Sequence, residues 1–251
     1  MKRTFLHSII YCFSFSFMIF PFFKAGSIGT GFSGMDNYMP AVKDSTEVAI
    51  DDAAFVSHLY DSLDLDQAGL EEGTLNYAYE GYHKLLEKGL IEHPGILTIV
   101  DFSQSSKNKR LYLIDMENYK LLMNTYVAHG RNSGEEFATR FSNRPESLQS
   151  SLGFYVTRST YNGKHGLSLK MEGLEKGFND NAMERAIVLH GSPYSDANFV
   201  RSRGYLGRSW GCPAVPENKK TEIINLIKEG TCLFIYHPTE SYLHGSKLLN
   251  G

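Results

Sequence analysis

The sequence has few thiols, a small net charge and only one long apolar run. It contains three cysteines in 251 residues and no Cys-x-x-Cys or His-x-x-x-His pair, so no compact zinc pattern is present. A net charge of -3 gives no electrostatic reason to expect a nucleic-acid partner. There is no internal repeat or low-complexity segment. The remaining composition, 42% hydrophobic and 21% charged, is typical of a soluble globular protein that is long enough to bury a full core.

The one long apolar run lies at the N-terminus. Lys2 and Arg3 precede a nearly uncharged run, residues 5–23, and the small residue Ala25 follows it. This layout is typical of a secretory signal cleaved near Ala25, while a run of about 20 apolar residues also suits an uncleaved membrane anchor. Residues 1–25 are therefore predicted to be a signal peptide or a membrane anchor, and both alternatives predict that the body of the protein is exported.

Composition and periodicity divide the rest of the chain into three parts. Residues 26–46 are rich in Gly, Ser and Asp without periodicity, which predicts a flexible linker. Residues 47–92 predict a helical accessory segment, with Thr74 placed to cap a helix and Gly89 to end it. Residues 93–251 predict a separate β domain. The apolar stripe of the helical segment, which we expect to pack against a core, consists of Leu75, Ala78, Tyr79, Tyr82, Leu85 and Leu86.

From Gly95 onward the pattern alternates as strands do. The strand patterns are ILTIVDFS, RLYLIDM, LLMNTYVAHG, SLGFYVT, HGLSLKM and AIVLHG. One clear helix is predicted among them, at residues 217–229, ended by Gly230. The predicted fold is mainly β and mostly antiparallel, a β-sandwich or mixed-sheet domain with few helices, preceded by the small helical segment.

Cys212 stands out because of its surroundings. It lies in GRSWGCPAVP, residues 207–216, between a glycine and a proline, whereas a cysteine that fills a core would lie in an apolar run. A catalytic thiol needs a base, and His190 ends the apolar strand pattern AIVLHG, where a rigid element would present it. Cys232 lies in the apolar run TCLFIYHP, typical of a buried strand. A disulfide between the two cysteines stays open as an alternative.

These residues together resemble the signature of the L,D-transpeptidase family of peptidoglycan cross-linking enzymes. That signature is a strand ending in His-Gly, a loop of about twenty residues, and then Ser-x-Gly-Cys. The matching residues are His190, Gly191, Ser209, Gly211 and Cys212. The resemblance covers about residues 95–237, includes the strand SSLGFYVT, and implies an L,D-transpeptidase-like fold for the β domain.

The sequence departs from the usual pattern at two positions. The family's histidine before Gly-Cys is Trp210 here, and the asparagine two residues after the cysteine is Ala214. The pattern SWGCPAV resembles a divergent branch, the murein L,D-transpeptidase catalytic domain. The departures concern the choice of substrate more than the chemistry.

The resemblance implies an acyl-transfer reaction on peptidoglycan stem peptides. Cys212 would attack the carbonyl of the third residue of a stem tetrapeptide, release the terminal D-alanine and form a thioester, with His190 as the base. An amine of a second stem would then form a 3-3 cross-link. No cofactor is implied, carbapenem-type β-lactams are expected to acylate the same thiol, and the expected location is the periplasm or cell envelope.

Further site residues follow from this chemistry. The backbone N–H groups around Gly211 and Cys212 are the expected oxyanion donors. Ser209 would orient either the loop or His190 through a hydrogen bond.

Substrate binding is expected from residues near the thiol. Of Arg201, Arg203 and Arg208, the best candidate for holding a stem-peptide carboxylate is Arg208. Gly191 is also assigned to substrate binding. Trp210 would exclude water or stack on a sugar or peptide. His129 and His165, in glycine-rich turns, receive no role.

Three other functions remain open at this point. Hydrolysis of the thioester would make the protein an L,D-carboxypeptidase that trims stems. A metal site could use His190, Cys212 and His237. A non-catalytic cell-wall binding protein would carry an inert or disulfide-locked thiol. The sequence leaves the oligomeric state open.

Overall fold

Eight strands form one mixed sheet in the computed structural model, which describes residues 52–251. In chain order the strands are β1 (Ile96–Asp101), β2 (Leu111–Asp115), β3 (Lys120–Thr125), β4 (Gly153–Gly163), β5 (Gly166–Gly173), β6 (Val188–Ser192), β7 (Ala214–Pro216) and β8 (Cys232–Tyr236). Their order across the sheet is β3-β2-β1-β8-β4-β5-β6-β7. Neighbours are antiparallel except for β1 with β8 and β6 with β7, which are parallel. The predicted mainly β fold is confirmed, in its mixed-sheet form.

Two helices precede the sheet and four shorter ones follow or interrupt it. The helices are α1 (Asp52–Ser62), α2 (Glu72–Glu87), α3 (Ala197–Arg203), α4 (Lys220–Ile227), α5 (Glu240–Gly245) and α6 (Lys247–Asn250), and Pro193–Ser195 forms a 3-10 turn. The helical segment before the sheet is confirmed, and α4 corresponds to the helix predicted at 217–229. The prediction of only one helix after the strands is wrong. The helices α3, α5 and α6 have seven residues or fewer, which is too short to establish a helical period in the sequence.

The caps of α2 differ from the prediction at one end only. The helix begins at Glu72 with Glu71 as its N-cap, so Thr74 lies buried inside the first turn and does not cap. At the other end Lys88 is the C-cap and Gly89 has a φ of +64°, so the glycine ends the helix as predicted.

The helix α2 packs closely onto the middle of the sheet. Gly81 faces the ring of Phe154 on β4, where a Cβ atom would collide with that ring. The Phe154 ring in turn stacks on Phe234 of β8, with ring centroids 4.1 Å apart. Helices and sheet therefore share one continuous apolar core, and each fully buried aromatic ring stabilises it by about 1.5–3 kcal/mol.

Membrane insertion is tested only for the described part of the chain. Within residues 52–251, no helix is long and apolar enough to cross a bilayer. The predicted signal peptide or anchor at residues 1–25 and the predicted linker at residues 26–46 lie outside the described residues.

Candidate active site

The parallel pairing of β6 with β7 brings the two principal candidates together. His190 of β6 pairs with Ala214 of β7, and Cys212 lies two residues before Ala214. Both His190 and Cys212 line one cleft of about 420 Å³. The two residues thus face the same space because His190 lies in β6 and Cys212 lies in the loop that leads into the adjacent strand β7.

Ser209 shapes the loop that presents the thiol. Its hydroxyl donates to the carbonyl oxygen of Cys212 at 2.6 Å and accepts from the N–H of Gly211 at 3.1 Å. The Ser209 N–H donates to the carbonyl oxygen of His129 at 2.9 Å, which ties the loop to the neighbouring chain segment. Ser209 is 3% exposed. Of its two expected roles, orienting the loop or orienting His190, these contacts belong to the first.

Gly211 holds a backbone conformation that favours glycine. Its φ is +123°, and a Cβ atom there would lie 2.8 Å from the carbonyl oxygen of Gln149. Its own carbonyl oxygen accepts from the Ser150 hydroxyl at 3.0 Å. Because its N–H donates to Ser209, the expectation that this N–H serves as an oxyanion donor is not supported by the geometry of the loop. The backbone N–H of Cys212 interacts with its own sulfur and opposes the rise in the pKa of that thiol.

His190 is buried and held in one tautomer. It is 3% exposed, and its Nδ1 lies 2.9 Å from the carbonyl oxygen of Gly191. A carbonyl oxygen only accepts, so Nδ1 carries the proton of the neutral ring and Nε2 is left as the basic atom. Burial is the main cause that lowers the pKa of His190, and the neighbouring charge of His165 adds to it. Gly191, which was expected to bind substrate, orients the base through this carbonyl.

His165 is a site residue that the sequence did not indicate. It lies in the turn between β4 and β5, and its ring stacks on that of His190 with centroids 4.4 Å apart. Its carbonyl oxygen accepts from the Lys220 ammonium at 3.4 Å. The contact arises because β5 pairs with β6, placing Ser168 opposite His190, and no local sequence signal reports that pairing.

The thiol of Cys212 is free and partly buried. Its Sγ–H donates weakly to the carbonyl oxygen of Ala186 at 3.8 Å. Cys232 is also a free thiol, buried in β8, so the disulfide alternative is wrong. Burial raises the pKa of Cys212, while the N–H of Val188 and the charge of Arg185 oppose that rise.

Arg185 is a second residue that the sequence analysis missed. It lines the cleft beside the thiol, and a Cβ atom on Gly211 would lie 3.4 Å from its Nη2. Its guanidinium donates to the carbonyl oxygens of Ser142 (2.7 Å) and Gln149 (2.6 Å) and to the hydroxyls of Ser147 (3.2 Å) and Ser151 (3.2 Å). The residue therefore fixes the 142–151 loop and supplies a fixed positive charge near the sulfur.

Arg208 and Trp210, the two side chains predicted to contact substrate, both line the cleft that holds Cys212. Arg208 Nη1 lies 3.3 Å from the Glu135 carboxylate and 3.4 Å from the carbonyl oxygen of Gly134. Trp210 is 70% exposed, and the Lys164 ammonium lies 6.0 Å from its ring centroid. An exposed indole at this position is available to a ligand and is not part of the core.

The third candidate metal ligand, His237, is engaged elsewhere. Its Nδ1 lies 2.7 Å from the hydroxyl of Thr239, and its ring packs against Phe141 at 4.8 Å. Among the residues that the structure describes, no three His, Cys, Asp or Glu side chains are grouped so as to hold a metal ion. The cleft therefore contains a thiol and an imidazole, and residues 52–251 hold no cluster of metal-ligating side chains.

The arrangement around His190 and Cys212 suits nucleophilic catalysis. A larger cleft of about 530 Å³ lies between α1 and Tyr119, but its lining is mainly apolar and contains no thiol. In the smaller cleft, a raised thiol pKa and a lowered imidazole pKa keep both groups neutral near pH 7. Such a pair reacts by transferring the thiol proton to the imidazole as the sulfur attacks a carbonyl carbon.

Comparison with known proteins gives one family match. The family model described as an L,D-transpeptidase catalytic domain matches residues 66–236. No curated protein matches the chain.

Several solved structures are similar in fold. An L,D-transpeptidase from Mycobacterium smegmatis has 11% identity and a TM-score of 0.36, over 57% of this chain and 59% of that one. L,D-transpeptidase 3 from Mycobacterium tuberculosis has 10% identity and a TM-score of 0.36, over 57% and 61%. The helical cell shape determining protein Pgp2 from Campylobacter jejuni has 12% identity and a TM-score of 0.39, over 65% and 55%. The chain thus spans less than two thirds of the length of each, and at these identities the likeness concerns the fold alone.

Proposed function

The chain belongs to the L,D-transpeptidase catalytic-domain family, and from this premise we propose that it is a cysteine L,D-transpeptidase of peptidoglycan. The observation that carries the proposal is the pairing of β6 with β7, which puts His190 and Cys212 in one cleft. Gly191 adds the third element, because its carbonyl oxygen holds Nδ1 of the base and leaves Nε2 to take a proton.

In the first step the enzyme would be acylated. The sulfur of Cys212 forms a bond to the carbonyl carbon of the third stem residue, and the thiol proton passes to Nε2 of His190. The peptide bond to the terminal D-alanine then breaks, and the same proton goes to the leaving amine. The thiol must first turn away from Ala186, whose carbonyl oxygen it contacts in the structure. The product is a thioester that conserves the energy of the cleaved peptide bond.

The charge that develops on the substrate carbonyl oxygen needs a donor. The N–H of Cys212 is the donor we propose, because it lies beside the reacting sulfur and is freed from it when the sulfur bonds to carbon, whereas the N–H of Gly211 stays bonded to Ser209. The N–H of Val188 and the guanidinium of Arg185 stabilise negative charge on the sulfur during attack. Both groups are held by the fold before substrate arrives, so little reorganisation is needed at the moment of reaction.

In the second step an amine of another stem peptide would attack the thioester. The new amide bond forms as the carbon–sulfur bond breaks, and the amine proton returns to the sulfur through His190. The result is a 3-3 cross-link made without ATP. Substrate contacts are proposed for Arg208 and Trp210 at the rim of the cleft.

The proposal extends to the whole chain. Residues 1–25 would direct export to the periplasm or cell envelope, residues 26–46 would tether the body, and residues 47–92 would support the catalytic part at residues 93–251. No cofactor is needed for either step. Carbapenem-type β-lactams would acylate Cys212, because they present a strained carbonyl to the same nucleophile.

Hydrolysis is the second candidate outcome, and the exposure of the site favours it. Trp210 is 70% exposed at the rim, so the cleft is open and water can approach the thioester. If water attacks before an amine does, the same residues make an L,D-carboxypeptidase. The donor chemistry is identical in both cases, and only the fate of the thioester differs.

The decisive experiment incubates the purified protein with tetrapeptide muropeptides and identifies the products by mass spectrometry. Cys212→Ala is compared with Cys232→Ala, a matched control at the other free thiol. Release of D-alanine with a dimer that requires Cys212 supports transpeptidation, while release of D-alanine without a dimer supports the carboxypeptidase. No release and no carbapenem adduct by a folded wild-type protein would leave the wall-binding alternative.

A further inference from the structure

A second cleft of about 470 Å³ adjoins the one that holds Cys212. Arg208 and Trp210 line both clefts, and we call these two residues the shared wall. Unlike the apolar cleft beside α1, this second one is lined mostly by polar and basic groups. The residues that line it are Arg131, Phe199, Arg203, Tyr205, Leu206, Gly207, Arg208 and Trp210. We call it the arginine cleft.

The arginine cleft carries positive charge that the protein does not neutralise. Within residues 52–251, the guanidinium groups of Arg131 and Arg203 have no hydrogen-bond or ion-pair partner. The third, that of Arg208, contacts the carbonyl oxygen of Gly134 at 3.4 Å and a single carboxylate, that of Glu135, at 3.3 Å; this carboxylate is 72% exposed. The cleft therefore has three guanidinium groups and one neighbouring carboxylate, so its N–H donors outnumber the carboxylate oxygens that could accept from them.

The arginines are held by rigid parts of the site. The backbone N–H of Arg131 donates to the carbonyl oxygen of Ser209 at 2.8 Å, so this residue is fixed to the loop that carries the thiol. Arg203 ends α3, which Gly204 terminates with a φ of +90°. The backbone of Arg131 is thus tied to the loop that carries the nucleophile, at Ser209, the residue between Arg208 and Trp210 in the sequence.

The contacts of Glu135 with two lining residues of the arginine cleft indicate that the cleft suits a carboxylate ligand. The carboxylate of Glu135 accepts from the Tyr205 hydroxyl at 3.0 Å and from Arg208 at 3.3 Å. A planar guanidinium matches a carboxylate through two parallel hydrogen bonds, and such charge-assisted bonds are about twice as strong as neutral ones. A carboxylate of a ligand could accept hydrogen bonds from Arg131 and Arg203 in the same way as Glu135 accepts one from Arg208.

We propose that the arginine cleft binds the terminal carboxylate of the acceptor stem peptide while the donor is attached to Cys212. This proposal rests on the proposed function. The donor occupies the cleft around the thiol, so the acceptor has to approach the thioester from a neighbouring space. The arginine cleft is such a space, since Arg208 and Trp210 border both cavities. An acceptor fixed there by its carboxylate would present its amine to the thioester across that wall and compete with water.

The first test measures how the thioester divides between amine and water. The variant Arg131→Gln/Arg203→Gln is compared with Arg201→Gln, a matched control on the same helix whose guanidinium contacts Asn198 and does not line the arginine cleft. Dimer and trimmed monomer come from the same thioester, so their ratio is independent of the acylation rate. The double variant should lower the ratio of dimer to trimmed monomer about tenfold or more, and Arg201→Gln should keep it within about twofold. An unchanged ratio in the double variant would overturn the proposal.

The second test measures binding without turnover. Trp210 is the single tryptophan of the chain, so its fluorescence reports on the shared wall. In Cys212→Ala, a tripeptide muropeptide with a free terminal carboxylate should bind about tenfold more tightly than its C-terminal amide, and Arg131→Gln/Arg203→Gln should abolish that preference. Equal affinities for acid and amide would contradict the proposal. If the wild type releases no D-alanine, the proposed function fails, and the fluorescence experiment still decides whether the arginine cleft binds carboxylate.

Discussion

The imidazole rings of His165 and His190 stack with their centroids 4.4 Å apart and their planes 23° from parallel. His190 is buried at the end of β6, whereas His165 is exposed on the turn between β4 and β5. The proposed base is therefore held on one face by a ring and at Nδ1 by the Gly191 carbonyl oxygen. A proton on His165 would repel a proton on His190, which favours the neutral, basic form of His190.

We expect removal of the His165 ring to lower activity by loosening the base. An aromatic pair contributes about 0.5–1.5 kcal/mol, so His165→Ala should reduce the rate of carbapenem acylation by about 2- to 10-fold. His165→Phe keeps the ring without its charge, so it should retain more of the rate and raise the apparent pKa of the acidic limb of the pH profile. Acylation rates from mass spectrometry between pH 5 and 8 measure both effects. If both variants keep the wild-type acylation rate and the wild-type apparent pKa of the acidic limb, the stacking has no role in holding the base.

The pH dependence of acylation should show a neutral pair of reacting groups. Burial lowers the pKa of His190 below its ordinary 6.5 and raises that of Cys212 above its ordinary 9.0. Glu217 favours the protonated base, while His165 and Lys220 oppose it. The rate should therefore be level from about pH 6.5 to 9 and fall below that range as His190 gains a proton.

The protonation state of the thiol can be measured directly. The thiolate absorbance of wild type minus that of Cys212→Ala should show no thiolate at pH 7. The neutral-pair mechanism is excluded if a thiolate is present there, because that result requires a thiolate–imidazolium ion pair. Cys232 stays in both proteins, and burial raises its pKa above the titrated range.

Arg185 should have two separable effects, one on the free energy of unfolding and one on the pKa of the Cys212 thiol. Its guanidinium makes four hydrogen bonds to the 142–151 loop, so Arg185→Ala should lower the free energy of unfolding by about 2–3 kcal/mol, measured in urea. The loss of its charge should also raise the pKa of Cys212. Arg185→Lys keeps the charge but not the planar fork, so it should restore the thiol pKa more fully than the stability. A change of less than about 0.5 kcal/mol in Arg185→Ala would show that the loop does not depend on this residue.

His129 should make the fold sensitive to acid. It is fully buried, and its Nδ1 accepts from the Arg110 guanidinium at 2.8 Å. Burial first, and then the charge of Arg110, lower its pKa to about 3, whereas an unfolded chain titrates near 6.5. Because the folded pKa is the lower one, stability is complete above pH 6.5 and falls as the pH drops towards 3. The linkage amounts to about 2–3 kcal/mol between pH 6.5 and 4.5.

The comparison variant for this prediction is His129→Asn, which cannot take up a proton. Urea unfolding at a series of pH values should give the variant a lower stability at pH 7 but a shallower decline towards pH 4.5. Equal slopes for the two proteins would mean that other groups cause the acid sensitivity.

Local patterns were sufficient for the elements whose own residues carry the signal. The apolar patterns predicted every strand except the three-residue β7, and the stripe of α2 predicted its packing face. Cys212 was singled out by a polar, glycine-rich surrounding that a core thiol lacks, and His190 by its place at the end of a strand. The same short motifs carried the family resemblance, which the match over residues 66–236 confirms.

Other parts of the site gave no local signal. His165 and Arg185 look like ordinary polar residues in a turn and a loop. The pairing of β5 with β6 brings His165 to His190, and hydrogen bonds to the distant 142–151 loop position Arg185. The short helices α3, α5 and α6 are too brief to show a period. Arg131 lies beside the site because its backbone N–H donates to the carbonyl oxygen of Ser209. No spacing in the sequence indicates that contact.

The division between the two kinds of information has a physical origin. Periodicity, turn residues and a thiol beside glycine are properties of neighbouring residues, so the linear chain is enough to predict strands, a nucleophile and a family. Ring stacking on His190, desolvation of Cys212 and the cluster of three arginines in one cleft are properties of surfaces that meet only after folding. The packing of the sheet and its loops therefore set the tautomer of the proposed base His190, the neutrality of His190 and Cys212, and the charge of the neighbouring cleft.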